Sequence, residues 1–157
     1  MNKKKSFLAL ALIFVTVLSY GQNNYVNPTG SYTLQGKKLK NGESANHGEV
    51  HVKLIDNNRL AISFFYNKGY PSYNSGSFVD TLDYVDNKAV YTYDEPEILA
   101  SDCRLTFTFH KQKVTINHEA EDYNYSCGFG MGVVASGIML KTSAKVPVIK
   151  DFWENEE

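Results

Sequence analysis

From Gly30 to Lys141 polar and apolar residues alternate with a period of two, the repeat of a strand with one buried face. Gly30 to Gln35 opens the pattern. Glu49-Val50-His51-Val52-Lys53-Leu54 alternates cleanly, and Leu60, Ile62, Phe64 and Tyr66 share one face of the next run. Asp56-Asn57-Asn58 lies between them and predicts a hairpin turn. Phe78 to Tyr84 is a third run, and Val85-Asp86-Asn87-Lys88 turns it into Ala89 to Tyr93. Cys103, Leu105, Phe107 and Phe109 form an inward face opposite Arg104, Thr106 and Thr108. His110 to Gln112 leads into Lys113-Val114-Thr115-Ile116, and a last strand is expected from about Met131 to Lys141. The result is an all-β chain of about eight hairpin-linked strands with no helical period. A closed antiparallel barrel removes the exposed edges of such a meander; an open sandwich is the alternative.

The pattern fails before Gln22. Lys3, Lys4 and Lys5 precede an apolar run from Phe7 to Leu18, and Ser19-Tyr20-Gly21 follows with small residues where a signal peptidase cuts. This almost purely apolar run of twelve residues is short of the roughly 20 that span a bilayer. Residues 1–21 therefore read as a secretory signal. A flexible segment is expected at 22–29, the barrel at 30–145 and a tail at 146–157, fraying beyond Pro147. Cleavage removes three lysines. Lys+Arg falls from 16 to 13 against 17 Asp+Glu, giving a net charge of −4. An acidic chain lacks the basic face that nucleic acid requires. It is compatible with a cationic protein partner.

Both cysteines, Cys103 and Cys127, follow the signal. In a periplasmic or secreted protein an isolated pair reads as a disulfide, contributing roughly 3 kcal/mol. Two free thiols or half of a metal site are the rival readings.

Candidate chemistry is sparse. Lys68 to Ser77 is rich in Tyr, Ser, Asn and Gly, the residue types of adaptable binding loops. Tyr70, Tyr73, Asn74 and Ser75 are its binding candidates, against an ordinary hairpin loop packed on the rim. Asp80 shares a face with Phe78, Leu82 and Tyr84. An acid there must be paired or neutralised, so it is a candidate for a ligand site, a structural pair or a slipped register. Asp94, Glu95, Glu97 and Asp102 crowd one connection without the spacing of an EF-hand; a solvated loop is expected. Gly128-Phe129-Gly130-Met131-Gly132-Val133-Val134-Ala135 lacks the strand-before, helix-after context of a dinucleotide fingerprint. His47, His51, His110 and His118 form no chelating pair by spacing, and no nucleophile elbow is present. Asn124-Tyr125-Ser126 is a formal glycosylation sequon, relevant only to a eukaryotic secretory route. No cofactor, no metal and no enzymatic activity are expected.

Pro71-Ser72-Tyr73-Asn74-Ser75-Gly76-Ser77-Phe78-Val79-Asp80-Thr81-Leu82, Cys103-Arg104-Leu105-Thr106-Phe107, and Cys127-Gly128-Phe129-Gly130 with Ala135-Ser136-Gly137 resemble segments of a family of small exported bacterial β-barrel proteins. That resemblance implies fold and export but no activity. Ser136-Gly137-Ile138-Met139-Leu140 is distantly similar to the Ser-Gly-x-x-Tyr motif of the periplasmic and membrane-bound inhibitors of c-type lysozyme, with Leu140 in the Tyr place. The likeness makes Ser136 a further binding candidate and implies a lysozyme as the cationic partner. Gly30-Ser31-Tyr32 resembles the Gly-x-Trp opening of lipocalin-like barrels, with Tyr for Trp. The expectation is thus a non-enzymatic binding protein acting through a surface loop. Its alternative is a calycin-like carrier of a small apolar ligand inside the barrel.

Overall fold

The computed structural model describes residues 25–37, 39, 40, 42–93 and 103–152. The signal segment, the Asp94–Asp102 connection with Glu95 and Glu97, and residues 153–157 lie outside the described residues. Eight antiparallel strands form a closed barrel in sequence order. They are β1 (Gly30–Gln35), β2 (His47–Asp56), β3 (Arg59–Asn67), β4 (Ser75–Val85), β5 (Lys88–Tyr93), β6 (Cys103–His110), β7 (Lys113–Glu119) and β8 (Gly137–Ser143). Tyr32↔Lys141 and Thr33↔Leu140 join the last strand to the first. The open sandwich is thereby excluded.

Two aromatic layers fill the interior. At one end Phe109 meets the edges of Tyr32 and Tyr84, with centroids 5.8 Å apart in both pairs. In the other layer Phe64 contacts Phe78, Phe107 and Phe129. Of these seven rings all but Phe78 are 2% exposed or less, and each buried side chain of this size stabilises the fold by roughly 1.5–3 kcal/mol.

Segment Tyr25–Thr29, expected to be flexible, is tethered across the first end. Tyr84 Oη donates to the Val26 carbonyl at 2.6 Å, Val26 N–H donates to Asn87 Oδ1 at 2.8 Å, and Tyr32 Oη donates to the Pro28 carbonyl at 2.7 Å. Burial pushes the Tyr32 phenol up to about 12.

Three expectations need correction. The last strand begins at Gly137, not near Met131. Positive φ at Cys127, Gly128 and Gly132 breaks the extended run, and a 3-10 turn occupies Ser126–Gly128. The stretch beyond Pro147 is not frayed as far as Phe152. The Phe152 ring crosses the outside of the barrel and packs on His51 and Phe65, at 5.2 and 5.6 Å. Asp80 has inward parity yet is exposed. β4 and β5 pair only at Tyr84↔Ala89 and Val85↔Lys88, so the sheet parts before it reaches Asp80.

Candidate functional site

The β1–β2, β3–β4 and β7–β8 connections meet at one end of the barrel. Gly69 has φ +76, and a methyl group there would overlap the Ala45 carbonyl, so glycine permits the backbones of the first two loops to touch. Tyr70 N–H donates to the Ser44 carbonyl at 3.0 Å. The loop also braces itself. Lys68 N–H donates to the Asn74 carbonyl at 3.0 Å, and Asn67 Nδ2 donates to the Tyr73 carbonyl at 2.8 Å. Lys68 Nζ and Asn74 Nδ2 both donate to the Met131 carbonyl, at 2.9 and 2.7 Å, while Gly130 N–H donates to the Ser75 carbonyl at 2.9 Å.

Three loops are therefore locked into one rim. From it project Tyr70, Tyr73 and Met131, 48%, 45% and 51% exposed. The two tyrosine rings meet edge to face at 6.4 Å, and Tyr73 holds a left-handed backbone at φ 52. Partial loss of hydration, then the Glu43 carboxylate and Tyr70, push the Tyr73 phenol above its ordinary range. Rigid aromatic anchors of this kind lose little entropy on binding.

Beneath the rim the mouth is closed. Phe129 lies 1% exposed and stacks on Phe64 at 5.9 Å. Gly76 makes this fit, because a side chain there would overlap the Phe129 ring. The loop thus projects from a plugged barrel instead of folding over an open one.

A buried polar cluster sits beside Phe129. Cys103 and Cys127 form a disulfide with Cα atoms 5.2 Å apart, within the usual span. His118 Nε2 lies 3.1 Å from Ser126 Oγ and 3.5 Å from Cys127 Sγ. All four residues are 4% exposed or less. The two sulfurs and the imidazole could in principle hold a metal, and Ser126 with His118 has the composition of a nucleophile and its base. One hydrogen bond decides against both. The Ala135 backbone N–H donates to His118 Nδ1 at 3.1 Å. Nδ1 must therefore present its lone pair, and in the neutral ring Nε2 carries the proton. To bind a metal beside the sulfurs or to take a proton from Ser126, this histidine would have to act through Nε2, which needs the reverse: an unprotonated Nε2 with Nδ1–H donating to an acceptor. Burial lowers the His118 pKa, which favours the neutral ring. His118 is therefore a cross-link between β7, the 3-10 turn and the chain entering β8.

The candidate residues fall into separate places. Tyr70, Tyr73, Asn74 and Ser75 come together on the rim. Ser136 is exposed, but its hydroxyl accepts from the His118 backbone N–H at 3.0 Å. Leu140, in the Tyr place of the inhibitor-like motif, points outward and is 61% exposed. Asp80 lies away on β4, accepting from the Thr81 N–H at 2.7 Å. Met131 and His118 were not singled out as site residues from the sequence. The inward parity of His118 with Val114 and Ile116 was the available signal for the histidine.

Among protein-family models, curated proteins and solved structures, none matches this chain.

Proposed function

We propose that this protein is an exported, non-enzymatic barrel that binds another protein through the rim carrying Tyr70, Tyr73 and Met131. One observation carries the reading: two half-exposed tyrosines stand on a loop whose backbone is bonded to both neighbouring loops. Exposed anchors on a pre-ordered scaffold are what protein recognition favours. Asn74, through its side-chain amide and carbonyl, and Ser75, through its carbonyl, hold the rim together, which makes them supports for the tyrosines. The packed interior and the Phe129 plug favour a surface site over a small apolar ligand carried inside.

A lysozyme is the specific partner suggested by the Ser136-Gly137 likeness and by the −4 charge after signal removal. The test is to add the purified domain lacking residues 1–21 to c-type, g-type and i-type lysozymes and to follow lysis of cell walls. Inhibition by the native domain, with loss of about tenfold or more in potency for Tyr70→Ala with Tyr73→Ala, is expected if the tyrosines are hot spots. Absence of inhibition at micromolar excess sinks the lysozyme form. Inhibition that survives both substitutions removes the rim as the site.

A further inference from the structure

β4 is eleven residues long and β5 six, but their ladder stops after two pairs. The direction of the remaining backbone groups follows from neighbouring bonds. Tyr84 N–H donates to the Asn58 carbonyl, so even-numbered residues of β4 bond to β3. By strict alternation the peptide groups of Thr81 and Asp83 face β5. Phe109 N–H donates to the Asn87 carbonyl, so odd-numbered residues of β5 bond to β6, and Val90 and Thr92 face β4. A continued ladder would pair Asp83 with Val90 and Thr81 with Thr92. A cavity of about 550 Å³ lies there instead, lined by Thr81, Asp83, Val90 and Thr92 together with Leu82, Val85 and Lys88. Its walls are thus the facing edges of two parted strands.

The side chains around this gap have a consistent character. Asp80, Asp83 and Asp86 are exposed on the β4 side, against Lys88 at the turn. Val79, Val85 and Val90 add exposed apolar surface, 38–61% accessible. Edge backbone groups attract an extended chain, and the acids select one that is basic and repel one that is acidic.

We propose that the cleft between β4 and β5 takes an extended segment of another protein, with basic and apolar residues in alternation, as an added strand. This site is separate from the rim and does not depend on it.

The test uses a capped hexapeptide, acetyl-(Lys-Val)₃-amide, and the same peptide N-methylated at every residue, which blocks both of its edges. Amide hydrogen exchange and ¹⁵N shifts are read on the domain lacking residues 1–21. In the free protein the amides of Thr81, Asp83, Val90 and Thr92 are expected to exchange rapidly. The unmethylated peptide is expected to raise their protection about tenfold or more, since paired edge groups leave solvent. Methylation should abolish this, and Asp83→Asn should weaken binding about threefold or more by removing charge attraction. Three results would overturn the proposal: slow exchange at these amides without peptide, whether by closure of the strands or by self-association; equal binding of both peptides; or no effect at millimolar peptide.

Discussion

The backbone N–H of Ala135 donates to Nδ1 of His118 at 3.1 Å. It fixes a neutral imidazole with its proton on Nε2, aimed at Ser126 Oγ and the disulfide. Protonating Nδ1 would set two donors against each other inside the core. The pKa is already lowered from 6.5 by burial.

Stability should therefore fall with acidification. Well above pH 6.5, the ordinary histidine value, the ring is neutral in both states and its contribution is complete. Below that pH the unfolded chain takes up the proton first, so stability drops until the lower folded pKa is passed. Urea midpoints measured from about pH 8 to about pH 5 should decline below the midpoint of a free histidine. His118→Gln, less stable throughout, should lose that share of the slope. An unchanged slope in the variant would assign the acid sensitivity to other groups.

Gly76 and Phe129 should behave as one unit. Gly76→Ala places a methyl group against the Phe129 ring, an overpacking expected to cost about 1–3 kcal/mol. In a Phe129→Ala background the same change should cost much less. A double-mutant cycle in urea reads this coupling, and additive losses would show that the ring does not depend on the missing Cβ.

Ser63 is fully buried on β3, and its Oγ is without a hydrogen-bond partner among the described residues. A hydroxyl that lost water and gained nothing destabilises the native state. Ser63→Ala should be neutral or stabilising by up to about 1 kcal/mol. A loss of stability beyond that would reveal a partner for the hydroxyl.

Phe152 ties the C-terminal segment to the outer face of β2 and β3. Phe152→Ala should cost about 0.5–1.5 kcal/mol, the worth of such ring contacts beyond area. The ring protons of His51 should shift in NMR spectra as the aromatic neighbour leaves. Unmoved His51 resonances would place the segment elsewhere in solution.

Much of the barrel was legible because a strand has only two faces. Leu60, Ile62 and Phe64, like Leu105, Phe107 and Phe109, are all buried on the parity their sequence displays. Asp86-Asn87 was legible as a turn because both positions take φ near +50 to +60°, which Asp and Asn tolerate. The tyrosine loop was legible from composition. Its rigidity was not, because that rests on carbonyls of Ser44 and Met131 far away in sequence.

Local pattern thus determined the strands, most of their facing residues and the turns between them, since alternation and turn chemistry act over a few neighbouring positions. The two cysteines also announced their partnership, being the only pair in the chain. Tertiary structure alone decided the closure of β8 on β1, the plug of Phe129 and the tautomer of His118. It also exposed Asp80, whose parity pointed inward, by parting β4 from β5 after two pairs. Each of these depends on groups brought together by folding, whose hydrogen-bond directions and free volume no local alternation encodes.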